Sequence, residues 1–125
     1  MNTPDITTVV ERLYARTSSG DLKWEQTEQE GVYQTSFPNY SIRLSEEYPV
    51  EAGDEPMDYW IRIYNSDGML VTSFCDRDVF EDFKKKGSNA YHVMRKMYIM
   101  SRDQSMGVTR ALNDILDCLS DGDAQ

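Results

Sequence analysis

The spacing of apolar residues along this chain changes twice, from helical to alternating and back, and those changes predict its architecture. Between Thr8 and Arg16, Val9, Val10, Leu13 and Tyr14 share one helical stripe, with Glu11, Arg12 and Arg16 outside it. Gly20 ends that helix. From Leu22 the period is two: Leu22, Trp24 and Gln26 alternate with Lys23 and Glu25. After a turn at Gln29-Glu30-Gly31 a second run carries Tyr33, Thr35 and Phe37 on one side. Pro38-Asn39 turns the chain again, and Tyr40, Ile42 and Leu44 alternate with Ser41, Arg43 and Ser45, as in a half-buried antiparallel strand.

Glu46 to Asp58 holds prolines, a glycine and six acids, which predicts an exposed loop. A strand from Tyr59 to Tyr64 then meets Asn65-Ser66-Asp67-Gly68, a tight-hairpin sequence, and Met69 to Cys75 returns as a fifth strand. Past Cys75 the helical period resumes. Asp76 or Asp78 caps a short helix through Phe83, with Glu81 in capping-box spacing after Asp78. Asn89 opens a longer helix with Ala90, Val93, Met94, Met97 and Ile99 or Met100 inward, and Gly107 suits the position after its end. Thr109 caps a last helix bearing Ala111, Leu112, Ile115, Leu116 and Leu119, and residues 121–125 form a frayed tail. The expectation is one α+β domain over residues 1–125: an N-terminal helix, a five-stranded antiparallel meander sheet, and C-terminal helices packed on the sheet.

Leu22-Lys23-Trp24-Glu25-Gln26-Thr27, followed by Val32 to Phe37, is similar to the opening of a family of small uncharacterised bacterial α+β proteins. Met97-Tyr98-Ile99-Met100-Ser101-Arg102, then Met106-Gly107-Val108-Thr109 and Leu112 to Leu119, resembles their C-terminal helical pair. The chain departs from that family at Ile99, Ser101 and Asp103, where more alanine and arginine is expected. The resemblance implies an α+β fold and no known activity, so it carries no functional residue over.

Composition narrows the function. At 125 residues and 39% hydrophobic the chain can bury a core without a disulfide or metal staple. Its net charge of −9 opposes direct binding to nucleic-acid phosphates and suits a basic protein partner. Charge is laid out in blocks. Residues 21–59 hold ten carboxylates against Lys23 and Arg43, and residues 84–110 hold seven basic side chains against Asp103. A basic and an acidic patch on one surface are also compatible with a homodimer. No run approaches the roughly 18 apolar residues of a membrane span, and Met1 to Arg16 lacks the pattern of a signal peptide. Both point to a cytoplasmic protein whose thiols, Cys75 and Cys118, are free and mostly buried.

Candidate chemistry is sparse. His92 is the single histidine, with no nucleophile-elbow pattern to pair with it and no Gly-rich phosphate loop anywhere. Asp76-Arg77-Asp78 and the loop acids do not supply the twelve-residue ligand pattern of an EF-hand, so no metal and no cofactor is expected. Met106-Gly107-Val108-Thr109 between two helices has the look of a DNA-binding turn, but Asp114 and Asp117 on the second helix would repel phosphates. That pattern is better read as a helix pair packing on the sheet.

What remains is a junction. Alternation puts Trp60 and Tyr64 on the sheet face opposite Tyr59, Ile61 and Ile63, beside the acidic segment. The expected partner-binding residues are Glu46, Glu47, Glu51, Asp54, Glu55, Asp58, Trp60 and Tyr64. They point to a non-enzymatic acidic binding module, a regulator or inhibitor of a basic, nucleic-acid-binding protein in a bacterial or phage setting. The alternative is a small-ligand sensor with a pocket between the sheet and the methionine-rich helix.

Overall fold

The computed structural model describes residues 5–49 and 55–122. Its elements follow the two changes of period: α1 (Ile6–Ser18), β1 (Glu25–Gln26), β2 (Val32–Ser36), β3 (Tyr40–Glu47), β4 (Asp58–Asn65), β5 (Leu70–Cys75), α2 (Asp76–Lys85), α3 (Ala90–Ser105) and α4 (Val108–Gly122). The strands form one antiparallel sheet in the order β1-β2-β3-β4-β5, each pairing with its neighbour in sequence. The expected α+β architecture with a five-stranded meander is the one observed.

Alternation decides the two faces of the sheet. Tyr33, Thr35, Ile42, Leu44, Tyr59, Ile61 and Phe74 turn inward and are buried. Helix α3 lies across β1 to β4 and α2 against β4 and β5, while α1 packs on α2 and α3. Val10, Leu13, Val79, Phe83, Met94 and Met97 close the core from the helical side. Tyrosines make up much of its middle: the rings of Tyr59 and Tyr98 are 5.6 Å apart, with Tyr33 and Tyr91 each 5.5 Å from one of them. Such tilted contacts add to the area these rings bury.

Long-range hydrogen bonds fasten the ends of the chain to this core. The Trp24 backbone N–H donates to Gln104 Oε1 at 2.8 Å, and its indole N–H donates to Thr17 Oγ1 at 3.0 Å. The buried Thr7 hydroxyl donates to Asp82 Oδ2 at 2.8 Å, tying α1 to α2.

Several boundaries differ from the sequence reading. The acidic segment is not a loop throughout, because β3 continues through Glu46 and Glu47 and β4 begins at Asp58. Register pairs Glu47 with Asp58 and Glu46 with Tyr59, so ladder hydrogen bonding overrides the low strand propensity of the acids. The cap of α2 is Cys75, whose N–H is accepted by Asp78 Oδ2 at 2.8 Å, so Asp78 rather than Glu81 closes the capping box. Tyr40 is 51% exposed because it sits at the turn end of β3, beyond the helical layer. Cys118 is exposed, not buried.

Helix α4 joins the helical layer through α3 alone among the described residues. The inner face of the sheet is already covered by α2 and α3. Gly107, at φ +66°, turns the chain away from α3 in a backbone conformation that disfavours other residues.

Candidate functional site

The face of the sheet that no described helix covers is built by the other half of the alternation. Ser41, Arg43, Ser45 and Glu47 on β3 share it with Trp60, Arg62 and Tyr64 on β4 and Gln34 on β2. Trp60 stands opposite Ser45 and Cys75, and Tyr64 opposite Ser41. Both aromatics are half-buried on this face.

Two arginines organise this surface, and neither was singled out from sequence. The Arg43 guanidinium donates to both carboxylate oxygens of Glu28 at 2.9 and 3.1 Å, and its Nε donates to Gln34 Oε1 at 2.9 Å. Its Cζ lies 5.7 Å from the Tyr64 ring centroid. Arg62 grips the carboxylate of Glu47 and donates to Ser45 Oγ at 3.2 Å, while its Cζ lies 5.1 Å from the Trp60 ring. Guanidinium over a ring adds attraction. The Arg62 hydrogen bonds hold the Glu47 carboxyl below its ordinary range, and the same pairing pushes Arg62 up. Arg43 lowers Glu28 in the same way. The usable signal was periodicity: Arg43 and Arg62 occupy the same alternation class as Trp60 and Tyr64.

The expected acids divide three ways. Glu47 belongs to this outer face and is engaged by Arg62 and by the Ser45 hydroxyl at 2.6 Å. Glu46 turns the other way, where its carboxylate accepts the Tyr59 hydroxyl at 2.7 Å. Burial, reinforced by that carboxylate, pushes the Tyr59 phenol far up. Asp58 is only 3% exposed and accepts from Arg77 Nη2 at 2.8 Å. Glu55 is half-buried, and Glu51 and Asp54 lie outside the described residues. Trp60, Tyr64 and Glu47 therefore come together, while Glu46 and Asp58 serve the fold.

A concavity of about 720 Å³ borders this surface, lined by Val32, Arg43, Arg62 and Tyr64 and reaching Glu46 and Tyr98 at the end of the sheet. The Tyr98 hydroxyl closes one wall by donating to the Gly31 carbonyl at 2.8 Å. Burial, followed by the neighbouring Tyr33, pushes the Tyr98 phenol up to about 12.

No family model, curated protein or solved structure matches this chain. Function therefore has to be argued from its own side chains. Among the described residues no group of three His, Cys, Asp or Glu side chains has the arrangement of a metal site, and no helix is long and apolar enough to cross a membrane. Asp76 and Asp78 each accept a backbone N–H, from Tyr59 at 2.9 Å and from Cys75. His92 is exposed at the start of α3, its ring edge-on to Tyr91.

Proposed function

We propose that this chain is a non-catalytic, cytoplasmic protein-binding module that docks a basic partner on the outer face of its sheet. Trp60 and Tyr64 are the anchors, and the net charge of −9, with Glu47, Glu51, Asp54 and Glu55 among its acids, steers approach. The single observation behind this reading is the pair of half-buried aromatics, each under an arginine on a face without a covering helix. Large rings fixed before binding lose little entropy on docking, which makes them efficient anchors. Arg43 and Arg62 are already matched by Glu28 and Glu47, so the partner meets paired charges and apolar rings. In its sharper form the module is a regulator or inhibitor that covers the basic surface of a nucleic-acid-binding protein.

The experiment is capture from the native cell on immobilised full-length chain, with mass spectrometry of what is retained. Trp60→Ala with Tyr64→Ala is expected to abolish capture of a basic protein. Reversing Glu51, Asp54 and Glu55 to Lys is expected to slow its association at low salt. Capture indifferent to both changes sinks the proposal.

A second reading rests on the concavity of about 720 Å³, a size usual for small-molecule sites, whose wall holds Arg43 and Arg62 together with the carboxylates of Glu30, Glu46 and Glu47. It predicts a small polar ligand bearing both donors and acceptors. Retention of such a molecule by the purified chain, lost in Arg43→Met and Arg62→Met, supports it over protein docking.

A further inference from the structure

Helix α4 stands clear of its own domain, with every residue from Thr109 to Ser120 exposed. Thr109, Arg110, Asn113 and Asp114 line a groove against Thr17 of α1 and Asp103 of α3. At 3.6 residues per turn the opposite side carries Leu112, Ile115, Leu116 and Leu119, which are 56, 55, 59 and 62% exposed. A surface helix ordinarily buries such a stripe against its own core. Here the stripe points into solvent, and a contiguous aliphatic patch of that kind marks an interaction surface.

The spacing of the stripe identifies what covers it. Leu112-x-x-Ile115-Leu116-x-x-Leu119 reads the same in both directions, because reversal exchanges Leu112 with Leu119 and Ile115 with Leu116. A second copy laid antiparallel therefore sets an aliphatic side chain against an aliphatic side chain at every contact. Such a pairing is closed and self-complementary, so it needs no other surface. The positions flanking the stripe, Thr109, Ala111 and Cys118, are uncharged. Asp114 and Asp117 fall on the far side, which keeps the repulsion of a −9 chain out of the contact. Antiparallel alignment also sets opposite ends of the two macrodipoles together. Two helices of 15 residues, each about 22 Å long, bury on the order of 1,000 Å² in total, the lower end for a specific interface.

We propose that α4 is a dimerisation element: two copies pair α4 against α4, antiparallel, about a two-fold axis between Ile115 and Leu116. This surface is separate from the outer sheet face.

Sedimentation equilibrium on the full chain is the test. The wild type is expected to be a dimer, and Leu112→Glu with Leu116→Glu a monomer of unchanged circular dichroism, since both positions lie outside the buried core. Orientation has its own readout. In the antiparallel pair residue 111 comes within about 3 Å, along the axis, of Cys118 of the second copy and on the same flank of the stripe, whereas in a parallel pair those positions stay about 10 Å apart along the axis. Ala111→Cys is therefore expected to give a covalent dimer on mild oxidation. A wild type that stays monomeric at the highest attainable concentration overturns the proposal. So does a dimer that survives the double substitution, or one in which Ala111→Cys forms no crosslink.

Discussion

Arg43 and Arg62 face each other directly across the β3–β4 ladder, two like charges in a register that ordinarily repels. The arrangement stands because each guanidinium is gripped by its own carboxylate, Glu28 or Glu47, and lies over its own ring, Tyr64 or Trp60. Removing either carboxylate exposes the repulsion.

Glu47→Gln is accordingly expected to cost about 0.5–1 kcal/mol, a modest figure because both partners are about a third exposed. Arg62→Met in the same background should abolish that cost, and high salt should shrink it. The pH sign follows from the lowered Glu47 value. Its contribution is present above the ordinary carboxylate range near 4.5 and is lost as pH falls through the lower folded value. Urea unfolding curves of wild type and Glu47→Gln should converge in acid.

Asp76 behaves in the opposite sense. Burial raises its carboxyl, although the Tyr59 N–H stabilises the ionised form and nearby Asp58 adds to the rise. A raised carboxyl contributes stability below its ordinary value of 3.8 and loses it as pH climbs through the folded value. Asp76→Asn keeps an acceptor for Tyr59 and removes the charge, so it should be neutral to stabilising at pH 7. Asp76→Ala strands a buried donor and should cost about 1–3 kcal/mol. Thermal melts of the two variants across pH separate the effects.

Gly31 and Gly68 have the same left-handed backbone, at φ +80° and +81°, in different surroundings. A Cβ at Gly68 meets nothing within 4 Å, whereas at Gly31 it meets the Tyr98 hydroxyl at 3.4 Å. Gly68→Ala should cost about 1–2 kcal/mol from the backbone alone. Gly31→Ala should cost as much, and any excess measured by chemical denaturation reports how far the Tyr98 hydroxyl must yield.

Tyr98 should resist alkaline titration. Its phenol is pushed up to about 12, so the fold keeps a proton that the unfolded chain releases near 10. That stability is present below pH 10 and is lost as pH rises toward 12. Ultraviolet absorbance should show Tyr98 ionising well above the ordinary phenol value of 10. Tyr98→Phe should remove the fraction that ionises near 12, leaving the still later Tyr59, and cost about 1 kcal/mol through the lost bond to Gly31.

The strands were legible because alternation is a local property: Ile42, Leu44, Tyr59 and Ile61 each declare their face through their neighbours. The same rule placed Trp60 and Tyr64 opposite the core. It did not reveal that Arg43 and Arg62 are partners, because register depends on where β3 ends and β4 begins. Those ends fall at Glu47 and Asp58, inside a segment whose acids read as loop. Glu46 and Glu47 were grouped by sequence as one acidic feature, yet strand geometry sends them to opposite faces, one to Tyr59 and one to Arg62. The stripe of α4 was visible as amphipathicity, but the direction in which it points is set by the turn at Gly107 and the groove against α1.

The meander pairs only strands adjacent in sequence, whereas α1 rests on α3, and Trp24 is fastened to Gln104 at a separation of 80 residues. As the chain leaves a ribosome, β2 to β5 can zip together while the apolar side of α1 still waits for its cover. Closure comes only when α3 emerges. Helix α1, made before the sheet, is thus among the last of these elements to be sheltered, and in that interval Val10 and Leu13 are the residues a chaperone would meet.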